Sequence, residues 1–285
     1  MLKNGKLSPS VLISSNYKSM TKSEQKVADY INQHTDDILY STVTDLSEKV
    51  RVGETTIIRF CRKLGYRGYQ EFKLAIAQSL VNPADPMDGM VEEGDSLEAI
   101  GKKITQQNIK ILNDSLELVD TKRIEKSISA VLAARSISFF GIGSSAFTAQ
   151  DAEHRFMRMG FNVSHASDAH VMAMKAALVN EQDVVFGIST SGSTKDVVDA
   201  IRIARQNKAF IICLTNQGRS PITQYADVIL LAASKESPFQ GGAYSSKIAQ
   251  LHILDILTKS IEIQQKDATF SSVKKTAEAV LDKMY

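Results

Sequence analysis

Only two cysteines occur in the chain, Cys61 and Cys213, far apart and each inside an apolar pattern. That excludes a disulfide framework or a cysteine metal site, and both read as reduced core residues. The five histidines show no ligand spacing, so no metal and no cofactor is expected. No apolar run approaches the roughly 18 residues that cross a bilayer, and no basic-then-apolar leader follows Met1. The expectation is a soluble cytoplasmic protein with no membrane partner. Internal repeats and low-complexity tracts are absent too.

Net charge is only +2 over 285 residues, a length that suggests two domains. Its distribution is uneven. Residues 1–80 hold twelve Lys/Arg against eight Asp/Glu, leaving twenty-two against twenty-four for the remainder. Within Lys49 to Lys73, seven basic residues (Lys49, Arg51, Arg59, Arg62, Lys63, Arg67, Lys73) face only Glu54 and Glu71. A basic window on a balanced chain points to a polyanion surface, although a solvated helix face has the same composition.

That window lies in a set of short helices. Thr21-Lys-Ser-Glu24 is a capping box opening a helix that carries Val27, Ala28, Tyr30 and Ile31, and a further turn is expected through Asp37 to Tyr40. Thr44 to Val50 and Glu54 to Leu64 then form two amphipathic helices joined by an Arg51-Val52-Gly53 turn and stopped by Gly65. This describes a helix-turn-helix, whose second helix enters the DNA major groove. On it, Ile57, Phe60, Cys61 and Leu64 follow the core-facing i, i+3, i+4, i+7 spacing. DNA is left the other side: Glu54, Thr55 and Thr56 at the N-terminal end for base edges, and Arg59, Arg62 and Lys63 for phosphates or a guanine edge. Arg59 is the first choice for specificity.

The run Val52-Gly-Glu54-Thr-Thr56-Ile57-Ile-Arg59-Phe60-Cys-Arg62-Lys63-Leu64-Gly65-Tyr66-Arg-Gly68-Tyr69 resembles the recognition helix and following turn of RpiR-type bacterial transcription regulators. Many members of that family have Ser where Gly53 stands. Glycine is an acceptable N-cap, so the change costs the helix a few tenths of a kcal/mol.

Pro83, Pro86 and the acids around them mark a linker, placing a DNA-binding domain at 1–80, the linker at 81–95 and a second domain at 96–285. Ser96 opens a long amphipathic helix through Val119, suited either to clasping a second subunit or to packing on its own domain. From Ser136 onward, strands alternate with helices. The strands are Ile137–Ile142, Asn162–His165, Val184–Ile188, Phe210–Leu214 and Val228–Leu231; the helices are Ala146–Met159, His170–Val179, Thr194–Gln206 and a short one after Pro221. Two closing helices follow, Ala243–Ile263 and Ser271–Met284. The rhythm predicts a doubly wound α/β domain with a five-stranded parallel sheet, for which the flavodoxin-like order 2-1-3-4-5 is the expectation from that fold type.

Strand three runs into Ser189-Thr-Ser191-Gly192-Ser-Thr194 before a helix, and strand one ends in Gly141-Ile-Gly143-Ser144-Ser145. Hydroxyls and loosened backbone at a helix N-terminus cradle a phosphate, and in this strand order the two turns border one crevice. An ordinary Ser-rich turn with an N-cap is the bland alternative. A G-x-S-x-G nucleophile elbow would need Gly at Ser191. Gly141-x-Gly143-x-x-Ala146 also fits a dinucleotide fingerprint, but Asp168 lies beyond the usual spacing and the second turn is not part of that motif.

This half resembles the sugar isomerase (SIS) fold at Gly143-Ser144-Ser145, at Ser189 to Thr194 and at Ser245-Ser246-Lys247-Ile-Ala249-Gln250-Leu251. By that resemblance Ser144, Ser145, Ser189, Ser191 and Thr194 hold a phosphate. His170, in Asp168-Ala-His170, meets the sugar, and Glu236 and Lys247 occupy family positions near it. Many members have Arg at Lys247 and at Gln240; the exchange loses bidentate geometry, and at Gln240 the charge as well. The resemblance implies a DNA-binding regulator of sugar or amino-sugar metabolism genes, acting on double-stranded DNA as a homodimer or dimer of dimers. Its effector would be a phosphosugar, an N-acetylated amino-sugar 6-phosphate being favoured. It would have no catalytic residues. The alternative is an aldose-ketose phosphosugar isomerase with His170, Glu236 or Asp168 as base, a reading that leaves the helix-turn-helix without a use.

Overall fold

A computed structural model describes residues 8–80, 91–92, 94–233 and 244–283. Contacts gather into two compact units, with the change falling between Gln107 and Asn108.

The first unit is helical: α1 (Pro9–Asn16), α2 (Lys22–Gln33), α3 (Thr35–Ile38), α4 (Val43–Val50), α5 (Glu54–Lys63) and α6 (Tyr69–Leu80). The expected capping box forms at Thr21 and Glu24, and a second, Thr42 with Asp45, starts α4. α1 is not anticipated by periodicity, because apolar and polar residues are mixed around it. What starts it is local: Ser8 caps its N-terminus and Pro9 fills the first turn. Ile57, Phe60 and Cys61 are fully buried and Leu64 nearly so, in a core shared with Leu46, Ile31 and Phe72. Burial pushes the Cys61 thiol up to about 12, so it stays protonated and inert. The glycine of the α4–α5 turn is the N-cap that the sequence suggests, and a non-glycine residue takes the left-handed position of the turn. Arg51 takes the left-handed conformation at φ 57°, while Gly53 is extended and serves as the α5 N-cap.

α7 (Leu97–Glu117) follows, then α8 (Thr121–Ala133), which the sequence reading passes over. The signal for α8 lies in Asp120, whose carboxylate accepts from the Lys122 and Arg123 amides, and in the spacing of Ile124, Ile128 and Val131. On α7 only Ile111 and Ser115 are buried, while Leu97, Ile104, Ile109 and Leu116 are exposed.

The second unit continues with β1 (Ser136–Phe140), α9 (Ser144–Arg158), β2 (Val163–Ala166), α10 (Ala169–Leu178), β3 (Asp183–Ile188), α11 (Lys195–Gln206), β4 (Phe210–Thr215), β5 (Val228–Leu231), α12 (Tyr244–Gln264) and α13 (Lys266–Glu278). The five strands are parallel, as the βα rhythm predicts, and stand in the expected flavodoxin-like order β2-β1-β3-β4-β5. Alternation along the strands divides the apolar side chains between two faces. Ile137, Phe139, Val184, Phe186 and Ile212 pack with Phe156 of α9 and Ile253 and Leu257 of α12. Phe140, Val185, Ile211 and Cys213 pack with Met172 of α10 and Ile201 of α11. Each fully buried side chain of this size contributes about 1.5–3 kcal/mol. The sheet thereby holds its C-terminal loops at a fixed spacing.

Candidate functional site

The parallel register sets the geometry of the candidate site. Phe140 of β1 lies opposite Gly187 of β3 and Ala166 of β2, so the loops leaving these three strands open at one edge. Strand order reverses between β1 and β3, which makes the β1–α9 and β3–α11 turns the two walls of a crevice.

At the first wall, Gly143 adopts φ 62° and becomes the N-cap of α9 with no side-chain cap. The positive φ starts the helix two residues before the expected Ala146, so Ser144 and Ser145 belong to its first turn. Ser144 is half-buried and Ser145 buried. At the second wall, Thr194 is the N-cap of α11, again without a side-chain cap bond. Its hydroxyl lies 3.1 Å from that of buried Ser189, and the Ser191 hydroxyl accepts from the Ser193 amide at 3.3 Å. Gly192, between them, has φ 61° and packs against Ser220 so closely that an added Cβ would lie 2.0 Å from its Oγ. Two helix N-termini without side-chain caps, ringed by hydroxyls, offer backbone amides and positive dipole ends to an anion.

Gln250 of α12 ties the walls together, and sequence reasoning did not single it out. Buried, its side-chain oxygen accepts from Thr148 of α9 at 3.0 Å and its amide donates to the Thr190 hydroxyl at 3.1 Å. In the sequence it shows only as a polar residue inside an apolar helical stripe, within the run 245–251 that resembles the SIS fold. Lys247, one turn earlier on α12, places its ammonium 5.0 Å over the ring of Phe147 on α9. Asp168 serves as the N-cap of α10, accepting from the His170 and Val171 amides at 2.9 and 3.0 Å, and the His170 side chain is exposed. His170 sits at the same sheet edge as the serine turns, on the β2 side. Glu236 and Gln240 lie outside the described residues.

On α5, the residues expected to contact DNA divide. Thr55, Arg59 and Arg62 are exposed and Thr56 is half-buried. Glu54 accepts from Thr44 at 2.6 Å, linking α5 to α4. Lys63 donates to the Ser19 carbonyl at 2.6 Å and to buried Glu24 at 3.1 Å, and Arg59 approaches the other Glu24 oxygen at 3.7 Å. Lys73 departs from the polyanion reading of its window. It is half-buried on α6 with its ammonium on the Ser41 carbonyl, 3.1 Å away, and burial lowers its pKa to about 8.

Among the described residues no group of His, Cys, Asp and Glu could hold a metal, and no helix is long and apolar enough to cross a membrane. Comparison with known proteins matches the helix-turn-helix domain of the rpiR family over residues 10–83 and the SIS domain over residues 131–260. A protein of Haemophilus influenzae named as an uncharacterized HTH-type transcriptional regulator is 35% identical over 275 residues, 95% of each chain. The HTH-type transcriptional regulator HexR of Escherichia coli is 32% identical, over 96% of this chain and 94% of its own. Among solved structures, the Vibrio vulnificus NanR protein complexed with ManNAc-6P superposes with a TM-score of 0.87 at 32% identity, covering 97% of this chain and 99% of that one.

Proposed function

Because the chain belongs to the rpiR family of HTH-type transcriptional regulators carrying a SIS domain, we propose that it binds operator DNA through α5 and a phosphosugar in the crevice between the β1–α9 and β3–α11 turns. The observation that carries the effector half is the pairing of two side-chain-uncapped helix N-termini, at Gly143 and Thr194, at the switch point of the sheet. Ser144, Ser145, Ser189, Ser191 and Thr194 line the phosphate position, and His170 and Lys247 border the sugar. The 32% identity and whole-chain superposition with a NanR bound to ManNAc-6P support an N-acetylated amino-sugar 6-phosphate as the effector class. Residues 1–80 form the DNA-binding domain, 81–95 the linker and 96–285 the effector domain. The exposed apolar residues of α7 support a homodimeric regulator, working in the cytoplasm where DNA and sugar phosphates meet.

The chain acts as a sensor and not as an isomerase: the phosphate grip serves both activities, but only a regulator uses a helix-turn-helix, and the full-length relatives are named as regulators. Closing the two turns around phosphate shifts the population between two arrangements of the recognition helices, whose spacing must match DNA half-sites. Reciprocity requires cognate DNA to change effector affinity by the same factor. The test is anisotropy of labelled DNA from upstream of the coding region, titrated in a salt series with a panel of sugar 6-phosphates. Ser191→Ala is expected to abolish the effector response while keeping DNA binding, and Arg59→Ala to do the reverse. Turnover of one sugar phosphate, with no sequence-preferring DNA binding, would support the isomerase instead.

A further inference from the structure

Glu24 does more than cap α2. A capping box needs one acceptor, and Glu24 Oε2 supplies it by accepting from the Thr21 amide at 2.8 Å. The same oxygen takes the Lys63 ammonium at 3.1 Å, while Oε1 faces the Arg59 guanidinium at 3.7 Å. The carboxylate is only 3% exposed, whereas the Arg59 side chain is 67% exposed. A buried anion on α2 therefore sits beneath two cations of the DNA-binding helix, and the Ser19 carbonyl fixes one of them from the other side.

Resting on the DNA-binding reading, we propose that Glu24 is a positioning residue for operator recognition: it takes up the Lys63 charge and orients Arg59, so that α5 meets DNA with its arginine pre-aimed. Two physical consequences follow. A guanidinium held in one orientation loses less freedom on docking, which favours the geometry-dependent contact to a base edge. Charge absorbed by Glu24 is withheld from phosphates, whose contacts carry no sequence information. Burial by itself raises the Glu24 pKa, but the Thr21 amide, the Lys63 ammonium and the Thr21 hydroxyl outweigh it and hold the group below its ordinary value. The carboxylate is accordingly ionised wherever DNA binding is measured near neutral pH.

Glu24→Gln isolates this role, because glutamine at the third helical position still completes a capping box. Full-length wild-type and variant proteins are titrated, across a salt series, with a duplex that the wild type selects from a randomised pool and with the unselected pool. Glu24→Gln is expected to lower the selected-to-unselected affinity ratio about threefold or more. It should also tighten unselected binding and steepen the log K against log salt slope by about one. Lys63→Met leaves Glu24 facing Arg59 alone; the arginine is drawn inward, selected binding falls and the slope becomes shallower. This second variant decides the matter where Glu24→Gln does not fold. A wild-type ratio and slope in either folded variant, or an equal loss on both duplexes, overturns the proposal. Failure of the wild type to enrich any duplex overturns the DNA-binding reading and the positioning role with it.

Discussion

The side-chain amide of Gln250 donates to the Thr190 hydroxyl at 3.1 Å, joining the closing helix α12 to the serine-rich turn after β3. The same side chain accepts from Thr148 at 3.0 Å, so one buried residue spans both walls of the proposed effector crevice. Gln250→Met keeps the volume and removes both bonds. The expected result is a stability loss of about 1–3 kcal/mol, from two hydroxyls left without their partner. It should also give a smaller rise in Tm than wild type on adding the amino-sugar 6-phosphate proposed above as effector. Parallel melts with and without the sugar phosphate check both.

Gly192 is under two constraints, a left-handed φ of 61° and the closeness of Ser220. Gly192→Ala is expected to cost about 2–4 kcal/mol in urea denaturation. Combining it with Ser220→Gly removes the clash at Oγ and Cβ but not the backbone strain, so only part of the loss should return. Full recovery would mean that φ at this position is freely adjustable.

Lys73 gives the helical unit an alkaline signature. Its folded pKa, about 8, is depressed below the 10.5 of an ordinary lysine because burial disfavours the ammonium. Between those values the unfolded chain binds the extra proton, so this residue adds stability as pH rises from about 8 to 10.5 and penalises the fold below that window. Cys61 acts oppositely, since its raised thiol pKa withdraws stability above pH 9. Subtracting the profile of Lys73→Met isolates the lysine. The variant is expected to be more stable than wild type at pH 7, with the difference shrinking toward pH 10. Tyr69 still donates to the Ser41 carbonyl at 3.1 Å, so no acceptor is orphaned.

Asp183 anchors the start of β3. Nearly fully buried, it accepts from Arg135 at 3.0 and 2.6 Å, from Ser136 at 2.8 Å and from the Asn180 amide at 2.9 Å. Burial raises its pKa, but Arg135, the Asn180 amide and Ser136 together bring it below the usual value. The stabilisation is present above the unfolded pKa of about 3.9 and disappears as pH falls through the lower folded value. Asp183→Asn should cost about 1–3 kcal/mol at pH 7, discounted for the half-exposed arginine. The gap to wild type should close in acid, which denaturation at pH 7 and pH 3 would show.

Periodicity along the chain was enough to place the five strands and the core face of α5, because each depends on residues close in sequence; the sheet order, which pairs distant residues, was expected from the doubly wound fold type. Ile57, Phe60, Cys61 and Leu64 repeat at helical spacing, and the strands are short apolar runs separated by helices. α1 escaped because its signal is a cap, at Ser8, instead of strong contrast between faces, whereas α8 carries both a cap, at Asp120, and the spacing of Ile124, Ile128 and Val131.

The sequence by itself therefore determined two modules, their order, and the hydroxyl-rich turns that mark the crevice. Tertiary structure alone decided which polar residues are spent internally. Lys63 and Lys73 count as basic residues of one window, yet one is tied to Glu24 and the other to the Ser41 carbonyl. Gln250 looks like any helix residue until α9 and the β3 turn close on it from positions distant in the chain. The physical reason is shared: a charge or amide acquires its role from the desolvation and partners that packing imposes, and those partners are set by the fold and not by neighbours along the sequence.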